Sequence, residues 1–375
     1  MDRRNKFMIK KYLAFCILCV LIFAPETAKG AEPSARGLLV SVIQDPSIFS
    51  SRQAMEGLVD FAQRARIKTL FVQIYRANMA WFPSKIADAT PYEICRKDFS
   101  EDPFALLIKE AHTAGIEVYA WLNILTLSNN KDARILKKYG PEILTRNLKP
   151  KKKIEDYKID NQYFLEPGDP RVREDLVNMV EEIVRAYPQL NGILFDYIRY
   201  PDEKPAYGYT PINIERFKKT TGLKAIEEKS DVWKNWKRRQ VTEFLEILVK
   251  RTHSLRPRIH IAATGCMPYG RAHDEAFQDW PSWLQTGLVE SVTLMNYSPD
   301  PVEFERWISA VKPKVKDFRK VNIAVGAYKL IHSPKTFEKE FGICEESGGG
   351  ACVIFHYANF IENPLLGNFL IKEKE

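Results

Sequence analysis

The sequence changes from apolar to charged within one short stretch, residues 192–201. Residues 193–195 are Ile, Leu and Phe, an apolar run typical of a buried parallel strand. Asp196 follows directly and places a carboxylate where the strand ends. Three more hydrogen-bonding side chains come next, those of Tyr197, Arg199 and Tyr200. The alternative is structural, because an aspartate at a strand end often caps the next loop.

A carboxylate in this position could act as an acid, a base or a nucleophile, and cleavage of a glycosidic bond usually needs two carboxyl groups. Asp196 is the first candidate. Asp300 is our choice for the second, because it lies just past another predicted strand end at residues 296–297. Other carboxyl groups in comparable positions stay open as alternatives: Asp45, Glu166 and Asp274. A second protein carboxyl group is unnecessary if an N-acetyl group of the substrate takes part.

Alternating strand and helix patterns must position these residues. Apolar runs predict eight strands, over residues 37–43, 69–75, 116–124, 192–196, 258–265, 289–297, 321–328 and 350–357. Helical spacing predicts the intervening helices, over residues 52–66, 102–115, 169–187, 232–254, 280–287, 302–311 and 333–346. Eight such units in an α/β chain of this length predict a closed (β/α)8 TIM barrel. No Gly-x-Gly-x-x-Gly follows the first strand, which argues against dinucleotide binding.

Polar and aromatic side chains lie at the carboxyl ends of almost all the predicted strands. Active sites of such barrels are built at those ends, so we expect these side chains to surround one site. The expected substrate-binding residues are Gln73, Tyr75, Arg76, Trp121, Asn123, Tyr197, Arg199, Tyr200, Asn296, Tyr297, Tyr328 and His356. Aromatic faces stack on the C–H surfaces of sugars, while amides and arginine bond their hydroxyls. The composition of the rim therefore favours a carbohydrate ligand.

The longest connection runs from residue 125 to residue 168, between the third strand and its helix. It contains Arg146 and the basic run at residues 149–153. One interpretation is a solvated insertion. The other is a flap that adds positive charge beside a polymer, and whose shortening would leave folding largely intact.

The first thirty residues have the order of a secretory signal peptide. A basic segment precedes the apolar run at residues 12–24, and small residues end it at Gly30. We expect cleavage before Ala31, which leaves residues 31–375 as one barrel domain in the periplasm or outside the cell, without stable membrane insertion. Residues 1–30 hold six basic and two acidic side chains, so cleavage lowers the formal net charge from +8 to +4. That balance does not call for a nucleic-acid partner.

Four cysteines remain after cleavage: Cys95, Cys266, Cys344 and Cys352. An exported protein can oxidise them, and the last two flank a glycine-rich turn that could be bridged. The pairing is not readable from the sequence. No cluster of cysteine and histidine has the spacing of zinc ligands, so we expect neither a metal nor a cofactor.

Several segments in this order resemble glycosyl-hydrolase-like family 10, a family of bacterial exported proteins that includes a hydrolase of peptide-free peptidoglycan glycan strands. The matching segments lie at residues 102–115, 119–123, 165–173, 192–201, 236–239 and 283–297. The resemblance implies a barrel fold, glycosidase activity and a place for Asp196 in the active-site motif. The family usually has two consecutive aspartates there, whereas Tyr197 stands second in this chain.

Two functions of different classes follow from these observations. The first is an exported glycoside hydrolase of a bacterial polysaccharide, with peptidoglycan glycan strands as the substrate and Asp196 as a catalytic carboxylate. An amino-sugar exopolysaccharide is the other substrate within this class. The second function is a catalytically silent barrel that binds cell-wall glycan, which the missing second aspartate motivates. Release of reducing ends from purified glycan strands separates the two classes.

Overall fold

The structure is a computed structural model, and it describes residues 34–202 and 207–371. The predicted signal peptide at residues 1–30 lies outside the described residues and stays a prediction. Within the described ranges, no helix is both long and apolar enough to cross a membrane.

Eight parallel strands form the centre of the fold. Their bounds are β1 Ala35–Val40, β2 Ile67–Arg76, β3 Glu117–Asn123, β4 Gly192–Asp196, β5 His260–Cys266, β6 Ser291–Asn296, β7 Val321–Gly326 and β8 Ala351–Phe355. Each strand pairs in parallel with the next, and β1 pairs with both β2 and β8. The sheet is therefore a closed barrel, and the predicted TIM-barrel fold is confirmed.

A helix follows each of the first seven strands. Their bounds are α1 Arg52–Arg64, α2 Pro103–Thr113, α3 Pro170–Ala186, α4 Asp231–Leu255, α5 Trp280–Gln285, α6 Pro301–Val311 and α7 Pro334–Glu345. Further helices lie at Thr90–Arg96, Arg134–Tyr139, Pro211–Thr221, Tyr269–Asp274, Ala358–Glu362 and Asn368–Ile371. Asp102 and Asp169 each precede a proline and cap α2 and α3, as aspartates at helix starts commonly do.

Two apolar layers hold the barrel together, one between the strands and the helices and one inside the barrel. The inner layer contains Leu39, Phe71, Tyr119, Trp121, Leu194, Ala262, Ala324 and Val353. Gly192 makes room for it, because a Cβ there would lie 2.2 Å from Cε1 of Tyr119. Only glycine permits that approach, so the start of β4 depends on Gly192.

The connection at residues 125–168 is an insertion after β3, as predicted, but it is not a loose flap. A two-stranded antiparallel sheet pairs Thr126–Ser128 with Tyr163–Phe164. Its apolar side chains are buried in the main core, among them Leu125, Leu127, Ile143, Leu144 and Leu165. That shortening the insertion leaves folding largely intact stays a prediction, and it does not extend to these flanks, because deleting them would remove core side chains.

Cys344 and Cys352 form a disulfide that joins the end of α7 to β8 across the glycine-rich turn. Cys95 and Cys266 are free thiols. The sequence left this pairing open, and proximity in the fold decides it.

Candidate active site

A cavity of about 280 Å³ opens at the carboxyl ends of the strands. We name it the main cavity. Its lining side chains are Leu39, Ser41, Ile43, Gln44, Arg76, Trp121, Asn123, Asp196, Tyr197, Thr264, Thr293, Met295, Tyr297, Phe355 and His356. Every barrel strand except β7, or the residues that follow it, contributes to this lining. The rim predicted from the strand ends therefore does enclose a cavity.

Asp196 ends β4 and lines the main cavity with only 5 % of its surface exposed. Its Oδ2 accepts a hydrogen bond of 2.9 Å from the indole Nε1 of Trp121. Its Oδ1 accepts from the Thr264 hydroxyl at 2.6 Å and from the backbone N–H of Tyr197 at 2.8 Å. Three donors from three neighbouring segments thus hold the carboxylate in one orientation.

Tyr197 has a φ of 56°, in the left-handed region that a bulky residue rarely occupies. This conformation goes together with the bond from its backbone N–H to the carboxylate of Asp196. Backbone strain of this kind persists where the surrounding structure holds it, and it clusters at functional sites. The turn after β4 therefore serves to orient Asp196.

A chain of buried polar side chains supports the wall of the main cavity formed by β1, β2 and β3. The Ser41 hydroxyl donates to Oε1 of Gln73 at 3.0 Å, and Nε2 of Gln73 donates to Oδ1 of Asn123 at 3.0 Å. Gln73 is fully buried and does not itself line the cavity. Its contact leaves the amide nitrogen of Asn123 available to donate to a ligand.

Three further predicted residues line the main cavity: Tyr297 and His356, which are neutral, and Arg76, which is charged. Burial, reinforced by the charge of Asp196, raises the pKa of Tyr297 well above its usual value, so its hydroxyl stays protonated. Burial lowers the pKa of His356, and its Nδ1 has no hydrogen-bond partner in the described structure. Arg76 forms no ion pair with any described residue. A neutral hydroxyl, a neutral imidazole and a free guanidinium suit the hydroxyl and amide groups of a sugar.

A second cavity adjoins the first and shares Tyr197, Met295 and Tyr297 with it. The other residues that line this second cavity are Arg199, Asp202, Cys266, Met267, Arg271, Trp307, Tyr328 and Lys329. Asp202 is paired with Arg199 at 3.0 Å and with Arg271 at 2.7 Å. Burial opposes ionisation of Asp202, but the two guanidinium charges outweigh it and lower its pKa. Arg199 and Tyr328 thus belong to the second cavity rather than to the main one.

Three predicted residues face away from both cavities. Tyr75 is fully buried and accepts a hydrogen bond from Asn78, because the register of β2 shifts between residues 73 and 75. The Tyr200 hydroxyl donates to the buried carboxyl group of Glu166. Asn296 donates to the backbone oxygen of Phe304 at 2.9 Å. All three side chains make internal hydrogen bonds and line neither cavity, so we no longer assign them to substrate contact.

Asp300 is also placed differently from the prediction. It is exposed, it lines neither cavity, and its side chain accepts from the backbone N–H of Val302 as the N-cap of α6. The residue that follows Asp300 is a proline, a pattern common at helix starts. The structure therefore gives Asp300 a capping role, and its selection as the second catalytic carboxyl group is withdrawn.

The reasoning from the sequence missed Ser41, Thr264, Thr293 and Asp202. Thr264 lies two residues before the end of β5, on the same face as the strand end. Alternation of side chains along a strand could have identified it, had each strand been traced two residues inward. Asp202 carries no such signal, because it lies in the loop after β4 and is held by Arg199, three residues before it, and by the distant Arg271.

The described residues contain no group of three or more His, Cys, Asp or Glu side chains that could hold a metal ion.

Comparison with known proteins places this site in a wider context. Residues 35–342 match the family described as glycosyl hydrolase-like 10. Glycosyl hydrolase DigH of Escherichia coli (strain K12) is 25% identical over 321 residues, which cover 78% of this chain and 69% of that protein. Glycosyl hydrolase YngK of Bacillus subtilis (strain 168) is 23% identical over 289 residues, which cover 71% of this chain and 51% of that protein.

Solved structures share the fold at low sequence identity. The catalytic domain of the β-amylase of Paenibacillus polymyxa aligns with a TM-score of 0.55 at 11% identity, over 88% of this chain and 94% of that chain. The α-galactosidase of Lactobacillus brevis aligns with a TM-score of 0.54 at 12% identity, over 91% of this chain and 40% of that chain. At these identities the likeness concerns the barrel alone.

Proposed function

This chain belongs to the glycosyl hydrolase-like 10 family, and from that premise we propose that it is an exported glycoside hydrolase that cleaves the glycan strands of peptidoglycan. Asp196 is the catalytic carboxylate in this proposal. The observation that carries it is the position of Asp196, the one acidic side chain among the described residues that line the main cavity. A carboxylate held by three donors in a cavity of aromatic and amide groups is what glycosidic cleavage requires of its charged residue.

The contacts of Asp196 favour one catalytic role over another. Trp121 Nε1–H and the Tyr197 backbone N–H are donors only, and each faces a different oxygen of the carboxylate. The Thr264 hydroxyl also donates to Oδ1, so both carboxylate oxygens are engaged as acceptors in the described structure. We therefore assign Asp196 to the nucleophile or to the stabilisation of positive charge on the sugar, rather than to proton donation.

Peptidoglycan strands fit this arrangement through their N-acetyl groups. An N-acetyl group of the substrate can attack the anomeric carbon itself, and Asp196 then stabilises the positive charge that develops, so no protein nucleophile is needed. Trp121 and Phe355 offer an aromatic surface beside Asp196, with ring centroids 6.1 Å apart. The free amide nitrogen of Asn123 and the neutral His356 are suitable partners for acetamido and hydroxyl oxygens.

Export agrees with two features of the chain. The order of residues 1–30 is that of a signal peptide. The disulfide between Cys344 and Cys352 is of a kind that persists in oxidising compartments.

The test is cleavage of purified peptide-free glycan strands, followed by mass spectrometry of the products. The wild-type protein is expected to release new reducing ends, and Asp196→Asn is expected to lose activity. Asp300→Asn is the matched control, because it makes the same change at a carboxylate that only caps α6. Equal activity of Asp196→Asn and wild type would overturn the assignment. Cleavage of an amino-sugar exopolysaccharide instead of glycan strands would keep the enzyme and change its substrate.

A second candidate function has one specific observation in its favour. Only one acidic side chain lines the main cavity among the described residues, so a barrel that binds glycan without cleaving it is the alternative. If this alternative holds, wild type and Asp196→Asn bind glycan strands with equal affinity, and neither releases reducing ends. The cleavage assay therefore decides between the two functions.

A further inference from the structure

The second cavity holds an excess of positive charge. Among its described lining residues, Arg199, Arg271 and Lys329 are cationic, and Asp202 is the single carboxylate. Both arginines pair with that one carboxylate. Lys329 is exposed and has no ion-pair partner in the described structure. The cavity thus keeps positive charge that Asp202 does not neutralise.

Arg199 adds buried positive charge to the wall of the second cavity. Its side chain is only 9% exposed, and its buried Nε has no hydrogen-bond partner among the described residues. A buried N–H without a partner costs stability unless a bound group satisfies it. The guanidinium also lies 4.6 Å from the centroid of the Tyr197 ring, which links it to the wall shared with the main cavity.

An aromatic surface runs continuously from one cavity to the other. Phe355 of the main cavity stacks on Tyr297 with ring centroids 5.2 Å apart, and Tyr297 contacts Tyr328 of the second cavity at 5.6 Å. Because Tyr297 lines both cavities, neighbouring sugars of one polymer can lie across the two. The second cavity is therefore placed to hold the unit next to the one at Asp196.

We propose that the second cavity is a subsite for a sugar unit that bears a free carboxylate, bound by Arg271 and Lys329 beside Tyr328. Arginine pairs with a carboxylate through two parallel hydrogen bonds, and lysine supplies a point charge. The inference rests on the proposed function, in which the carboxylate is the lactyl group of a peptide-free strand. It adds the place where that carboxylate binds, since an amide or ester would present no charge to the second cavity.

Binding to the full mature chain carrying Asp196→Asn tests the subsite without turnover. The probes are one peptide-free oligosaccharide of alternating N-acetylglucosamine and N-acetylmuramic acid, and the same oligosaccharide with its carboxyl groups methylated. By isothermal titration we expect the free acid to bind about tenfold tighter or more, the gain typical of a hydrogen bond to a charged group. Arg271→Gln and Lys329→Gln should each reduce this preference severalfold and leave binding of the methyl ester unchanged.

Lys320→Gln is the matched control, because Lys320 precedes β7 and Lys329 follows it, at opposite ends of the barrel. This control should keep the full preference for the free acid. Equal binding of acid and ester by the parent chain overturns the subsite, whether or not wild type cleaves strands. Loss of the preference in Arg76→Gln but in neither variant of the second cavity also overturns it, and assigns the carboxylate to the main cavity.

Melting temperatures of all variants exclude misfolding. If Arg271→Gln unfolds, Lys329→Gln decides the test, because that substitution breaks no ion pair.

Discussion

The indole Nε1 of Trp121 donates a hydrogen bond of 2.9 Å to Oδ2 of Asp196. The two residues lie 75 positions apart in the sequence, near the ends of the adjacent strands β3 and β4. The bond joins an aromatic surface suited to sugar stacking to the carboxylate that we assign to catalysis. Each of the two side chains therefore helps to fix the orientation of the other.

Trp121→Phe removes this donor and keeps most of the aromatic surface. A hydrogen bond to a charged group contributes about 1.5 kcal/mol or more, so kcat per folded molecule should fall by about tenfold. Trp283→Phe is the control, because Trp283 also donates from a buried indole, to Thr242 at 2.9 Å, but lies outside both cavities. A smaller effect on kcat for Trp121→Phe than for Trp283→Phe would contradict the positioning role.

Asp196→Asn should lower turnover by about a hundredfold or more, because a neutral amide can neither attack the sugar nor stabilise its positive charge. From the sequence alone its stability would be expected to change little. The structure alters that expectation, because the new amide NH₂ must face either the Trp121 N–H or the Tyr197 N–H. We expect a loss of about 1–3 kcal/mol in the free energy of unfolding. Turnover and urea denaturation are measured on one preparation, and normal turnover per folded molecule would leave Asp196 a structural role only.

Glu340 predicts a pH dependence of stability. Its side chain is fully buried, and neither carboxyl oxygen has a hydrogen-bond partner among the described residues. Burial, assisted by the charge of Asp300, raises its pKa to about 7. Since the folded pKa exceeds the unfolded one, the protonated form stabilises the fold at pH 4 and this contribution is lost as the pH rises through 7.

Glu340→Gln should therefore raise the free energy of unfolding at pH 8 by on the order of 1–3 kcal/mol, with little change at pH 5. Glu338→Gln, at an exposed position of the same helix α7, should change neither value. Denaturant titrations at the two pH values make the comparison. An equal gain at both values would mean that ionisation is not the cause.

The basic loop of the insertion gives an electrostatic prediction. Lys149, Lys152 and Lys153 are exposed and belong to neither cavity. Replacing all three with glutamine should leave the melting temperature unchanged and weaken binding of acidic strands a fewfold at low salt. Surface charges act at a distance and are screened, so the effect should vanish at 0.5 M salt. A salt-independent loss, or an equal loss for methylated strands, would count against it.

Export is tested at the amino terminus of the protein recovered from cells. Edman sequencing or mass spectrometry should find a mature chain that begins at or near Ala31. Recovery of the intact Met1 end in a membrane pellet would show that the basic and apolar segment at residues 1–30 is retained as an anchor.

The sequence by itself determined the barrel and the position of Asp196. Strand and helix periodicities are local, so each of the eight strands could be recognised from its own apolar run. Aspartates followed by proline at 102 and 169 marked helix starts for the same local reason. Asp196 was found because the change from apolar to charged residues occurs within a single strand.

Only the tertiary structure decided which rim residues meet. Tyr75 points into the core because the register of β2 shifts just before it. The carboxylate of Asp300 accepts a hydrogen bond from the first turn of α6, which it caps. Thr264 reaches Asp196 from 68 positions away, a contact that no local pattern contains. Closure of the barrel sets the stagger between strands, and that stagger determines which side chains line the same cavity and which make structural contacts instead.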